Sequence, residues 1–124
     1  MVKNTGTEEL GHLEMVGTLI HQLAKNATTT EIENSPMAPY FIDHNKGVYP
    51  ISAGGNPFSA ATLSVTGDPI ADLVEDLAAE QKARATYDNI LRVSNDPDVN
   101  DVIKFLRQRE IVHFQRFGDP KLTI

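Results

Sequence analysis

Thr7-Glu8-Glu9-Leu10-Gly11-His12-Leu13-Glu14 is the run on which the reading of this chain turns. It has no proline and carries a helical apolar rhythm that continues through Val16, Leu19, Ile20 and Leu23. Glu9 and His12, three positions apart, project from one side of such a helix with their Cβ atoms ~5–6 Å apart. That side is the stripe expected to be buried, where a carboxylate and an imidazole are costly unless something compensates them. A divalent cation does so. A second Glu-x-x-His pair, Glu110-Ile111-Val112-His113, stands near the other end, and Glu80 falls on the inner stripe of a segment between them.

The two later segments have clear openings. Asp68-Pro69 and Asp96-Pro97 each pair an N-cap residue with proline at the first helical position. The stripe after the first runs Ile70, Leu73, Val74, Leu77, Glu80, Tyr87 and Leu91, and the helix should end near Val93 to Asn95. The stripe after the second runs Val99, Val102, Ile103, Leu106, Glu110, His113 and Phe117, in a near-regular three–four spacing that Gly118-Asp119-Pro120 stops. Lys121 to Ile124 read as a loose tail.

The first helix reads from about Thr5 to Asn26, with Thr5 or Thr7 as cap, which leaves Glu9 barely one turn inside its start. Residues 27–67 break the helical pattern. Thr28-Thr29-Thr30 and Asn34-Ser35-Pro36-Met37-Ala38-Pro39 are turn-rich. Tyr40-Phe41-Ile42, Val48-Tyr49-Pro50-Ile51 and Ala61-Thr62-Leu63-Ser64-Val65 suit short extended pieces around Gly54-Gly55-Asn56-Pro57. A connection this long is unusual in a helix bundle and points to a functional or interface segment. The expected architecture is mainly all-α: one domain over 1–124, with three long helices and a long, partly extended crossover. Bundles that use such ligands have four helices, two giving Glu and two giving Glu-x-x-His.

The chain has 124 residues, 40% hydrophobic and 23% charged, which fits one globular domain. A formal net charge of −6 without a basic cluster argues against nucleic acid. There is no cysteine, so thiolate sites and disulfides are excluded and His, Asp and Glu remain as strong ligands. No stretch approaches the ~20 apolar residues of a membrane span, and no signal sequence follows Met1, so a cytoplasmic location is the default.

A lone Glu-x-x-His is common on helix surfaces. Two of them on inner stripes, joined by an inner Glu, supply three carboxylates and two imidazoles, a donor set that suits Mn or Fe. His21 falls on the far side of its helix, and His44 beside Asp43 is expected to be solvated. Arg84, one turn after Glu80, either neutralises a carboxylate of the site or makes a surface pair. Tyr87 reads as core.

At this point Thr7–Glu14, Gly67-Asp68-Pro69-Ile70-Ala71-Asp72-Leu73, Ala78-Ala79-Glu80-Gln81-Lys82-Ala83-Arg84-Ala85 and Arg109-Glu110-Ile111-Val112-His113-Phe114-Gln115-Arg116-Phe117 resemble the manganese catalase family. Ser52-Ala53-Gly54-Gly55-Asn56-Pro57-Phe58 is similar to that family's crossover. The likeness is greatest to short members, which include a bacterial spore-coat protein, so a spore-coat location stands beside the cytoplasmic one. The resemblance implies a ferritin-like bundle holding two Mn ions that dismutate hydrogen peroxide to water and oxygen, with Fe as the other metal the donors suit. Glu9 matches a bridging carboxylate and His12 the imidazole of the first ion. Glu80 and His113 match the carboxylate and imidazole of the second. Glu110 matches a glutamate beside the centre that bonds or transfers protons without ligating. Members assemble as hexamers.

The family also has a helix ahead of the one matching Glu9, supplying a further carboxylate, and long members place Arg where this chain has Ala79. The resemblance therefore implies a truncated bundle, or one completed by another chain in a homo-oligomer. The competing readings are a di-iron ferritin-like oxidase and a coat-like structural oligomer with little turnover.

Overall fold

The computed structural model describes residues 2–41, 51–52 and 54–119. They form α1 (Val2–Ala24), a short α2 (Thr29–Glu33), α3 (Pro69–Val93) and α4 (Pro97–Phe117), with single 3-10 turns at Ala38–Tyr40 and Ala60–Thr62. The expected three long helices are present. No strand occurs among the described residues, and no helix is long and apolar enough to cross a membrane. His44, Val48 to Pro50 and the tail from Lys121 lie outside the described residues.

The chain divides into two compact units, Val16–Ser64 and the combination of Met1–Met15 with Val65–Ile124. The second of these carries the candidate site. Its frame is the α3–α4 hairpin, joined by only Ser94, Asn95 and Asp96. Both helices start as their Asp-Pro openings dictate. Asp68 Oδ1 accepts from the backbone N–H of Ile70 and Ala71 at 2.9 and 3.3 Å, and Asp96 Oδ1 from Asp98 and Val99 at 2.9 and 3.2 Å. Each cap satisfies donors that the first turn leaves orphaned. Thr66 adds a clasp, its Oγ1 donating to Asp72 at 2.9 Å.

The α4 stripe is buried as its spacing requires: Ile103, Leu106, Glu110, His113 and Phe117 all lie inside. On α3 only Leu73 and Glu80 are buried, while Ile70 and Val74 are exposed. The hairpin is also tied at its surface, where Asp88 accepts from Arg107 across the helices and from Arg84 at 2.9 Å. Arg84 thus makes the surface pair.

α1 departs from expectation twice. It is already helical at Val2, with Thr7 Oγ1 donating back to the Lys3 carbonyl at 3.0 Å inside the helix and not capping it, so Glu9 stands about two turns inside. Its expected stripe is buried only at His12, with Val16, Leu19 and Ile20 part-buried. Leu13 is 68% exposed, and the only buried residues of α1 are Thr5 and His12. The polar side chains Glu8, Glu9 and His12 make its described contacts with α4, and leucines need an apolar partner surface to be drawn inside.

In the unit Val16–Ser64, Ile32 and Phe41 are buried beside Ile20, Leu23 and Met37 around a cavity of about 320 Å³. The turn-rich reading of Thr28-Thr29-Thr30 missed α2, which is opened by a capping box. Thr28 Oγ1 accepts from Glu31 N at 3.2 Å, and Glu31 Oε2 accepts from Thr28 N at 2.7 Å. Thr-x-x-Glu is the sequence signal that marks it. Two expected extended pieces instead contain 3-10 turns, at Ala38–Tyr40 and Ala60–Thr62, the latter capped by Ser59. Ile51 and Pro57 do bridge antiparallel, around Gly55 at φ 83°, a left-handed backbone that favours glycine.

Candidate metal centre

Two helices, α1 and α4, bring the two Glu-x-x-His pairs together. Glu9, His12, Glu110 and His113 each offer a ligand atom, and those four atoms all lie within 4.8 Å of one another. Within α1, His12 Nδ1 is 3.3 Å from Glu9 Oε2. Between α1 and α4, His113 Nδ1 is 2.5 Å from Glu9 Oε1, and the rings of His12 and His113 stack with centroids 5.4 Å apart. Phe105 meets the His12 ring edge-on at 6.3 Å. His21 is exposed and far from this group in sequence position on α1.

Glu80 approaches from α3. Its Oε1 is 3.8 Å from His113 Nδ1, and its carboxyl is hydrogen-bonded to that of Glu110. It stands outside the four-residue group, whereas Glu110, which the family resemblance sets beside the metals, stands within it. Burial, then the Glu110 hydrogen bond and the negative charges of Glu110 and Glu9, push the Glu80 carboxyl up to about 9. Tyr87, half-buried on the same cavity, is pushed up to about 12 by burial and by the charges of Glu110, Glu9 and Glu80. The cavity is about 430 Å³ and is lined by Thr5, Glu9, Ala79, Glu80, Tyr87 and Glu110 among others.

Two observations fit a cation among these residues. Glu9 Oε1 and His113 Nδ1 are buried without a hydrogen-bond partner, although 2.5 Å apart, so a lone pair on each is left unused. Two buried carboxyl groups, Glu80 and Glu110, also crowd against the part-exposed Glu9, which a proton or a cation makes tolerable. The oxygen and imidazole donors are those that suit Mn or Fe.

Sequence reasoning missed Glu8. Its carboxylate receives Arg109 Nη2 at 2.5 Å and Arg116 Nη1 at 2.7 Å, and its Oε2 is 2.9 Å from His113 Nε2. Hydrogen bonds from His113, Arg116 and Arg109 hold it well below the usual carboxylate range. The local sequence gives no sign of this, since all three partners are about one hundred positions away. The spacing of Arg109, His113 and Arg116 along one face of α4 is the one available hint.

Helices that turn two Glu-x-x-His pairs toward one another define a carboxylate–histidine protein of the kind that can hold metal. Residues 1–120 match the family described as manganese containing catalase, and the chain belongs to that family, whose members are ferritin-like helical bundles. It is similar to Protein CotJC of Bacillus subtilis (strain 168), 45% identical over 119 residues that make up 96% of this chain and 63% of that protein. A probable manganese catalase of Clostridium acetobutylicum is 34% identical over 92% of this chain and 51% of that protein. A manganese catalase of Bacillus subtilis is 29% identical over 91% of this chain and 46% of that protein. The chain thus spans between 46% and 63% of the length of these three relatives. No solved structure matches it.

Proposed function

We propose that this chain is a dimanganese catalase-like protein that dismutates hydrogen peroxide to water and oxygen. The observation that carries the reading is the convergence of Glu9, His12, Glu110 and His113 within 4.8 Å, with Glu80 against them, in a chain of this family. Glu9, His12, Glu80 and His113 are the proposed ligands. A bound metal pair supplies the two-electron change that turns two peroxides into two waters and one oxygen molecule.

Glu110 is assigned proton transfer. It is buried at 2% exposure and hydrogen-bonded to Glu80, so the two carboxyls hold a proton between them that peroxide oxygens can receive. Burial keeps bulk water from competing for that proton. Exposed apolar side chains such as Leu10 and Leu13 on α1 support the further reading that the bundle is completed in a homo-oligomer.

The test is Mn loading of the full chain followed by oxygen-electrode measurement without reductant, with mass in solution taken alongside. We expect one oxygen per two peroxides, and loss of both Mn binding and oxygen release in Glu9→Ala and His113→Ala. Iron as the metal found after expression, with turnover that needs a reductant, would favour the di-iron oxidase. A metal-free, inactive protein that still forms the oligomer would favour the coat-like reading.

A further inference from the structure

We infer that Glu8 is a positioning residue: its carboxylate takes the Nε2 hydrogen of His113, so that the Nδ1 lone pair faces the acidic cavity. The inference rests on the metal-site reading above and adds a residue to it. A neutral imidazole carries one N–H, and the partner of one nitrogen decides what the other can do. At Nε2 the partner is Glu8 Oε2, 2.9 Å away in hydrogen-bond geometry. At Nδ1 the neighbours are Glu9 Oε1 at 2.5 Å and Glu80 Oε1 at 3.8 Å, yet neither Nδ1 nor Glu9 Oε1 has a hydrogen-bond partner. The Nδ1–Glu9 contact is close but lacks hydrogen-bond alignment, whereas the Nε2–Glu8 contact has it, so the hydrogen is assigned to Nε2. Nδ1 is left as the electron-pair donor, at 0% exposure of its side chain, beside the Glu9 carboxylate.

Glu8 is itself fixed. Arg109 and Arg116, one turn before and one turn after His113 on α4, donate to its two oxygens. Three donors along one helix face thus grip one carboxylate from α1. The carboxylate fixes the ring's tautomer and orientation, and by polarising the Nε2–H bond it raises the basicity of Nδ1 toward a metal. Glu8 touches neither substrate nor metal in this scheme.

The experiment pairs a spectroscopic readout with a binding readout. Long-range 15N–1H NMR of the metal-free protein, with His113→Ala used to identify the ring signals, reports which nitrogen carries hydrogen. Isothermal titration with Mn2+ reports affinity, and circular dichroism checks that each variant is folded. We expect the Nε2–H form of His113 in the wild type, and its retention in Glu8→Gln, whose amide oxygen still accepts. In Glu8→Ala the form should be lost and Mn2+ affinity should drop about 10–100-fold. Arg109→Ala should keep the tautomer. An Nδ1–H or doubly protonated His113 in the wild type overturns the inference. So do equal affinity losses in Glu8→Ala and Arg109→Ala with the tautomer unchanged in both, which would make Glu8 a tether only. Failure of the wild type to bind Mn2+ removes the metal reading but leaves the tautomer result to decide this one.

Discussion

Glu80 of α3 and Glu110 of α4 meet carboxyl to carboxyl, both almost fully buried, and burial with this neighbour raises the Glu80 carboxyl. This pairing makes the metal-free protein sensitive to pH in a definite direction. Glu80 titrates at about 9 when folded, against 4.5 for an ordinary glutamate. Below about 4.5 it is protonated in both states and costs nothing. Between about 4.5 and 9 the unfolded chain releases the proton while the folded one keeps it, so stability falls as pH rises. Thermal unfolding in chelator should give a melting temperature that drops from pH 5 to pH 9, and Glu80→Gln should flatten that slope. A wild-type profile identical to that of the variant would contradict the pairing.

The Asp88–Arg107 contact works the opposite way. The hydrogen bond from Arg107 lowers the Asp88 pKa in the folded state, so its contribution is present at neutral pH and lost as pH falls below the ordinary aspartate range. Asp88→Asn should destabilise the protein in urea at pH 7. The gap to wild type should narrow at pH 3.

Burial separates two leucines that the sequence presents alike. Leu106 is 0% exposed on α4, and Leu106→Ala should cost about 2–5 kcal/mol in unfolding free energy. Leu13→Ala on α1, at an exposed position, should change it by less than about 0.5 kcal/mol. Denaturant unfolding at a concentration where the protein is monomeric compares them directly.

Asp68 and Asp96 each cap a long helix through one carboxylate oxygen. Replacing either with Ala should cost about 0.5–2 kcal/mol. Because both caps lie at the first turns of their helices, remote from the ligand group, Mn2+ affinity should stay at the wild-type value while the unfolding midpoint shifts.

How far these features were legible depends on how local their causes are. Asp68-Pro69 and Asp96-Pro97 set helix starts through atoms two or three residues away, so the α3 and α4 boundaries follow from the chain alone. The α4 stripe was readable because Ile103, Leu106, Glu110, His113 and Phe117 repeat at helical spacing and face a neighbour joined by a three-residue link. α1 has the same rhythm, but periodicity says which residues share a side and not which of them find a partner. There Glu9 and His12 were engaged, while Leu13 on the same stripe stayed exposed. Glu8 was invisible for a related reason, since nothing near it in sequence distinguishes it from the exposed Glu14.

The short link between α3 and α4, set against contacts from α1 that span about one hundred positions, gives the protein an order of assembly. Closing three residues costs little entropy, so the hairpin can form early and persist, whereas α1 must be captured late through a handful of polar contacts. Backbone amides of α1 should accordingly exchange with deuterium well ahead of those of α4. A ligand group drawn from both would then be completed only when the slowest-docking helix arrives, which makes metal uptake itself a reporter of the last folding step.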